Sequence, residues 1–86
     1  MPLTKLSTLK TPGRPIRATF KGKFAYVADG VEGLQVVDLS APTAPKIVGS
    51  FKTPAPARDV AVDNGIVYVV VGAREEPGEV LVLKQS

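Results

Sequence analysis

The sequence contains no cysteine, no histidine and no tryptophan. Without cysteine or histidine a chain cannot build a zinc finger, a thiol nucleophile, an imidazole base or a haem site of the ordinary kind. Its serines also have no imidazole to act as a base, so serine hydrolysis is not expected. We therefore expect a protein that is not an enzyme and that holds no cofactor and no metal ion.

Long apolar runs are also missing from the 86 residues. No segment is long enough to span a bilayer, and the N-terminal residues lack the apolar core of a signal peptide. We therefore expect a cytoplasmic protein that makes no membrane contact.

The small size of the chain limits its stability. A chain of this length buries only about 60% of the surface that it exposes when unfolded. Because neither a disulfide nor a metal cluster can add stability, association with further copies is the stabilising device to look for.

The sequence is rich in short segments of β-branched residues bounded by Gly, Pro, Asn or Asp. Such segments are typical of strands, and no window has apolar residues at helical spacing over ten or more residues. We predict an all-β fold with strands over residues 4–10, 16–21, 24–29, 34–39, 46–52, 58–63, 66–71 and 79–84.

The sequence repeats itself at an offset of 42 residues. This offset aligns Thr11 with Thr53 and Tyr26 with Tyr68, together with several of their neighbours. After Gly72 the second copy gains three residues in this alignment. The chain is thus predicted to be one unit, residues 1–86, with repeats at about residues 3–44 and 45–86.

A period of 40 to 45 residues with four strands is the pattern of a β-propeller blade. The first predicted strand, residues 4–10, aligns with the fifth, which ends a blade. The second blade therefore lacks an outer strand at its C-terminal end, whereas a strand of that kind is present near the N-terminus. We predict that residues 4–10 serve as the outer strand of a composite blade.

A motif in residues 26–54 carries a family resemblance. It consists of Tyr-Val-Ala-Asp-Gly from Tyr26, Gly-Leu from Gly33, Val-Val-Asp from Val36, a pair of prolines, and Val-Gly from Val48. With this motif the segment resembles the LVIVD-repeat family of β-propellers. The resemblance implies a propeller scaffold and no particular activity.

Two blades cannot close a ring, because propellers have four to eight blades and each blade needs a neighbour on both faces. Three copies of the chain would supply six blades, and four copies would supply eight. We expect a cyclic homo-oligomer with head-to-tail contacts, a trimer in preference to a tetramer, since blades of this length often close as six.

The charges are unevenly distributed along the chain. Residues 1–28 contain six basic residues and no acidic one, whereas residues 29–86 contain five basic and eight acidic residues. This asymmetry suits head-to-tail contact, and it is equally consistent with solvated surface charge. Nucleic-acid binding is not expected, since the sequence has no basic run and few aromatic residues.

Two groups of residues are candidates for weak ligand binding. Arg17 and Asp59 align at the start of the innermost strands, beside Arg58, and would alternate around a central channel. They form either a structural ring of ion pairs or a ligand site. Asp29 and Glu32 lie in a glycine-rich loop, and we expect loops that carry Arg14 and Arg74 on the same face of the ring.

The two loop carboxylates could in principle bind calcium, but their spacing fits no twelve-residue calcium loop. We therefore expect them to form and solvate the turn, with weak ligand binding as the alternative. Asp38 is expected to accept a backbone N–H in a turn. Tyr26 and Tyr68 are interpreted as packing residues.

We expect the protein to be a self-assembling scaffold, with protein interaction as its further role. The alternative is a lectin-like or small-ligand-binding oligomer that uses loops on one face of the ring. All five aromatic residues lie in predicted strands, which disfavours a sugar-binding platform. The ligand, if there is one, is not identified by the sequence.

Overall fold

The computed structural model describes residues 2–73 and 76–84, which form two antiparallel sheets. Within these residues there is no helix, so the prediction of an all-β fold is confirmed. The strands lie side by side in chain order in each sheet. The first sheet contains β1 (Arg17–Lys21), β2 (Phe24–Ala28), β3 (Leu34–Asp38) and β4 (Lys46–Phe51), and the second contains β5 (Ala57–Asp63), β6 (Ile66–Val71) and β7 (Glu79–Lys84).

Tight turns join the first two strands of each sheet. Gly22 has a φ of 59° between β1 and β2, and Asn64 and Gly65 have φ values of 53° and 80° between β5 and β6. Two successive residues with positive φ match the right-handed twist of the flanking strands, which is why Asn-Gly favours this hairpin. The two sheets therefore begin with hairpins at equivalent places in the repeats.

The predicted strand over residues 4–10 is wrong for the single chain, because residues 2–16 carry no strand. A strand exists only where a neighbour completes its backbone hydrogen bonds, and no described strand pairs with this segment. The other seven strands appear within one residue of the predicted bounds. The role of residues 4–10 in a composite blade stays a prediction.

The main core lies between the two sheets. The first sheet contributes Tyr26, Ala28 and Leu34, which are at most 3% exposed, with Val36 packed beside them. The second sheet contributes the other half of this core, namely Val60, Val67, Val69 and Val71. We call these two surfaces the contact faces of the sheets.

A backbone bridge also joins the sheets at one end. The N–H of Ala57 donates to the carbonyl of Gly30 at 2.8 Å, and the N–H of Gly30 donates to the carbonyl of Ala57 at 3.2 Å. The loop after β2 is thereby fixed to the beginning of β5. The two sheets are thus held in one orientation by both packing and backbone hydrogen bonds.

The pairing register corrects the alignment of the two repeats. Ala28 faces Leu34 in the first sheet, and its counterpart Val70 faces Val80 in the second. The second repeat has therefore gained four residues before β7, not three, so Leu34 corresponds to Val80. Because a shift of one residue turns every side chain to the other side of a sheet, this correction decides which residues of β7 face outward.

The chain exposes more surface than a compact protein of its mass. Its accessible surface is 6131 Å², whereas the scaling law for monomeric globular proteins gives about 4,900 Å². The two sheets stack into an elongated body of 42 × 27 × 24 Å. None of the described segments is a helix of the length and apolarity that a membrane span requires.

Candidate functional site

The Asp29 carboxylate, one of the predicted ligand-binding groups, is fully buried and is bound by the chain itself. The Thr11 hydroxyl donates to Oδ1 at 2.7 Å, and the Gly13 N–H donates to Oδ2 at 2.9 Å. Both donors lie in the segment that precedes β1. Asp29 therefore fixes this segment to the end of β2, and it is not open to an outside ligand.

The local sequence permits this close approach. A Cβ on Gly13 would lie 2.3 Å from the carbonyl oxygen of Asp29, so only glycine fits there. Gly30 and Gly33 have φ values of 61° and 86°, in the region that favours glycine, and the Gly33 N–H donates to the Gly30 carbonyl at 3.0 Å. The loop after β2 is thus a tight turn built around Asp29.

The other residues predicted near this loop make contacts of their own, and a ligand site at this loop stays a prediction. Arg14 is exposed, and its backbone N–H donates to the carbonyl of Asp29 at 3.4 Å. Glu32 forms an exposed ion pair with Lys52 at 3.4 Å. Such a pair contributes little to stability. Arg74 lies outside the described residues, and among those that are described no group of acidic residues could hold a metal ion.

The second repeat replaces this polar anchor with an apolar contact. Val71 stands where Asp29 does, and it is 1% exposed in the core between the sheets. The Thr53 hydroxyl, equivalent to that of Thr11, donates to the carbonyl of Ala55 at 2.6 Å. The same type of loop therefore closes on itself in the second repeat and does not bind a carboxylate.

Arg17, Arg58 and Asp59 lie together around a shallow depression between the innermost strands, with Ile16 and Val70. The register confirms that Arg17 and Asp59 hold equivalent places, because they face Ala28 and Val70. The Asp59 carboxylate accepts the N–H of Val60 at 2.8 Å. The ring of alternating charges around a channel remains a prediction.

Asp38 forms the predicted turn at the end of β3. Its Oδ1 accepts the N–H of Ser40 at 2.8 Å and also the Ser40 hydroxyl. These hydrogen bonds, together with the charges of Lys23 and Lys46, hold the pKa of Asp38 below its ordinary value. The carboxylate thus has a structural role in the turn.

The outward side of the second sheet is an apolar surface. It consists of side chains from β6 and β7 that point away from the first sheet, and we call it the open face of the second sheet. Its members are Tyr68, Val70, Val80 and Val82, which are 37%, 40%, 59% and 64% exposed. Their counterparts in the first sheet, Tyr26, Ala28, Leu34 and Val36, form the contact face that the second sheet covers.

The outward side of the first sheet is partly covered. Its apolar residues Ala25, Val27 and Val37 form a small core with Leu9 from the N-terminal segment. On β1, however, Phe20 on this side is 67% exposed. Its counterpart Val62 packs against the core between the sheets. We call this side the open face of the first sheet.

Sequence reasoning placed the loops of Asp29 and Arg14 on the same face but missed the hydrogen bond between Thr11 and Asp29. The signal that could have revealed it is the difference between the repeats. Thr11 and Thr53 are the same residue, while their partners Asp29 and Val71 differ. The open faces were also missed as surfaces, because the alignment was one residue out of register at β7.

Comparison with known families gives one match. Residues 17–53, which contain β1 to β4 and the start of the loop to β5, match the family of the LVIVD repeat. LVIVD repeats are β-propeller-like, in agreement with the antiparallel four-stranded first sheet. Neither the curated proteins nor the solved structures contain a match. The chain therefore carries an LVIVD repeat at residues 17–53, as the motif in its sequence indicates.

Proposed function

We propose that the protein is a self-assembling β-propeller scaffold without catalytic activity, built from head-to-tail copies of this chain. The observation that carries the proposal is the open face of the second sheet. It is the repeat equivalent of the contact face of the first sheet, which the second sheet already covers within the chain. A further sheet of the same kind therefore fits on it.

The first sheet offers the matching surface. Phe20 on its open face is exposed, whereas its counterpart Val62 is packed against the neighbouring sheet within the chain. Ala18 is also exposed, and its counterpart Val60 is 6% exposed. The open face of the first sheet in one copy can therefore cover the open face of the second sheet in another.

Head-to-tail copies contact each other through two different surfaces, which makes the interface heterologous. Such an interface closes into a ring when the rotation between neighbouring copies permits it. The described residues of one chain form two sheets, so three copies would make six blades and four copies eight. We propose three. The surplus of about 1,200 Å² over a compact monomer is the surface that such contacts would bury.

The distribution of charge supports head-to-tail contact over contact between identical faces. Residues 1–28, which include β1 and β2, carry six basic residues and no acid, while the remainder carries an excess of acids. Unlike potentials at the two ends of the chain favour their association. A contact between two identical ends would bring like charges together.

The proposal is tested by placing a charge on the open face. Val82→Lys puts an ammonium group in the middle of the proposed interface, where no partner is available. The oligomer is expected to dissociate to folded monomers, as measured by size-exclusion chromatography with light scattering. Circular dichroism should show the strand content of the unmodified chain.

Val31→Lys is the matched control. Val31 is 66% exposed, close to the 64% of Val82, but it lies in the loop after β2 and not on the open face. This variant should keep the mass of the unmodified assembly. A Val82→Lys protein with an unchanged oligomeric mass would refute the proposed interface.

A further inference from the structure

Among the described residues, β7 of the second sheet pairs with a strand on one side only, so its other edge is free. In the first sheet β3 pairs with β2 on one side and with β4 on the other. In the second sheet β6 corresponds to β2, and β7 corresponds to β3. In the second sheet β7 pairs with β6, and no described strand occupies the place of β4. A free edge presents a row of unpaired N–H and C=O groups, so it is a template for one more strand.

The N-terminal segment lies where an outer strand would be placed. Leu9 packs against Ala25 and Val37 on the open face of the first sheet. Its repeat counterpart Phe51, in β4, lines the cleft between the sheets, where Val67 and Leu83, the counterparts of Ala25 and Val37, also lie. Residues near Leu9 therefore hold the same position over the first sheet that β4 holds over the second.

Hydrogen bonds hold the segment in this position. The buried Asp29 carboxylate accepts from Thr11 and Gly13, directly after the segment. At the other end the Ser7 hydroxyl donates to the carbonyl of Pro42 at 2.7 Å. Residues 7–13 are thus ordered against the first sheet before any strand pairs with them, which lowers the entropy cost of pairing.

We infer that β7 of one copy pairs antiparallel with residues 4–9 of a second copy, which completes the second sheet as a four-stranded blade. This inference rests on the proposed assembly and specifies its backbone contact. The repeat also fixes the register. In the first sheet Val36 faces Gly49 and Leu34 faces Phe51.

Transfer of that register to the composite blade gives its pairs. Val82 takes the place of Val36, and Ser7 of the second copy takes the place of Gly49, so these two residues face each other. In the same way Val80 faces Leu9 of the second copy. The side chains of β7 then keep the sides of the sheet that they occupy in the single chain.

Disulfide trapping tests this register directly, because the chain contains no cysteine of its own. A Cβ built on Gly49 lies 3.5 Å from the Cβ of Val36. This separation is within the range for a disulfide. By equivalence, a chain with Ser7→Cys and Val82→Cys should form disulfides between copies when oxidised. The expected result is a shift from monomer to covalent multimers on a non-reducing gel.

Two control variants accompany this experiment. Gly49→Cys with Val36→Cys tests the same geometry within one chain, and it should give a disulfide-bonded monomer. Thr8→Cys with Val82→Cys is out of register by one residue, so its side chains lie on opposite sides of the sheet and should not link. An equimolar mixture of the single variants, Ser7→Cys and Val82→Cys, should give linked dimers.

The outcomes separate this inference from the proposed function. Linked multimers for positions 7 and 82, with none for positions 8 and 82, support the register. Native mass spectrometry of the reduced protein reports assembly independently of the disulfide. An oligomer in which positions 7 and 82 do not link overturns the strand pairing and leaves the assembly standing. A monomer with no link overturns both, and a link formed within one chain overturns the pairing between copies.

Discussion

The two repeats solve the same packing problem with different chemistry. In the first, a buried carboxylate at Asp29 binds the preceding segment through Thr11 and Gly13. In the second, Val71 fills the equivalent position with apolar contacts, and Thr53 bonds to its own loop. The polar anchor belongs to the first repeat, whose preceding segment pairs with none of the described strands.

The sheets also differ in what covers them. The contact face of the first sheet is buried by the second sheet, while the equivalent face of the second sheet is open. Position in the chain therefore decides whether the same set of side chains forms core or surface. This difference gives four predictions, ordered from the largest expected effect to the smallest.

Gly33→Ala should have the largest effect on folding. Gly33 has a φ of 86°, and a Cβ there would lie 2.3 Å from the carbonyl oxygen of Phe51. Strain and overpacking together should lower the free energy of unfolding by about 4 kcal/mol, measured by urea denaturation. Glu79 holds the equivalent position in the second repeat, so this position requires glycine only in the first repeat.

Gly65→Ala provides the control for this prediction. Gly65 has a φ of 80°, but no atom lies within 4 Å of an added Cβ. The cost should be limited to about 1 to 2 kcal/mol for the left-handed backbone. If both alanine variants lose the same stability, the close approach at Gly33 is not what the loop depends on.

Tyr26→Ala and Tyr68→Ala compare the two equivalent faces. Tyr26 is 3% exposed in the core, so its truncation should cost about 3 to 5 kcal/mol in the free energy of unfolding. Tyr68 is 37% exposed, and its truncation should weaken association while leaving the folded chain intact. Urea denaturation and light scattering measure the two effects. Equal losses of chain stability would contradict the distinction between core and open face.

Asp29→Val converts the anchor of the first repeat to the residue of the second. Loss of two hydrogen bonds to a charged acceptor should lower the free energy of unfolding by about 3 kcal/mol. Amide exchange at Gly13 should become faster, because its N–H loses its acceptor. The conversion isolates the polar contact as the feature that holds the N-terminal segment.

Thr11→Val is the second arm of this test. It should cost about 1 kcal/mol in the unmodified chain and less in the Asp29→Val background, since the bond between the two side chains is already lost. Strict additivity of the two substitutions would show that Thr11 and Asp29 act independently.

Asp38→Asn should have the smallest effect and should depend on pH. The folded state lowers the pKa of Asp38, so the carboxylate adds stability above its unfolded pKa. That contribution is lost as the pH falls through the folded pKa. The variant should therefore be less stable near neutral pH, and its urea midpoint should approach that of the unmodified chain once the pH lies below the folded pKa. A difference between the two midpoints that stays constant over this range would contradict the role of the charge.

Much of the fold follows from the sequence. Periodicity and turn residues predicted eight strands, and the seven that form each have a hydrogen-bonded partner nearby in the chain. The offset of 42 residues correctly related the sheets as far as Val71. The alignment failed at β7, where matching Gly33 to Gly78 gave an insertion one residue too short. The register of β7 is set by cross-strand pairing with β6, which the positions of the glycines do not report.

The site was less predictable than the fold. Carboxylates in a glycine-rich loop look alike in sequence whether they are buried or exposed, and only packing distinguishes Asp29 from Glu32. The sequence of residues 4–10 has the composition of a strand, but strand propensity does not report whether a neighbouring strand is available to pair with it. The members of the open face depend on the register of β7, because a shift of one residue turns each side chain to the other side of the sheet.

Native mass spectrometry of the unmodified chain tests the central claim most directly. A ring of blades predicts one closed species containing three chains of 9.0 kDa, with no ladder of higher oligomers. A folded monomer at micromolar concentration would contradict the account, because both open faces would then be stable in water without a partner.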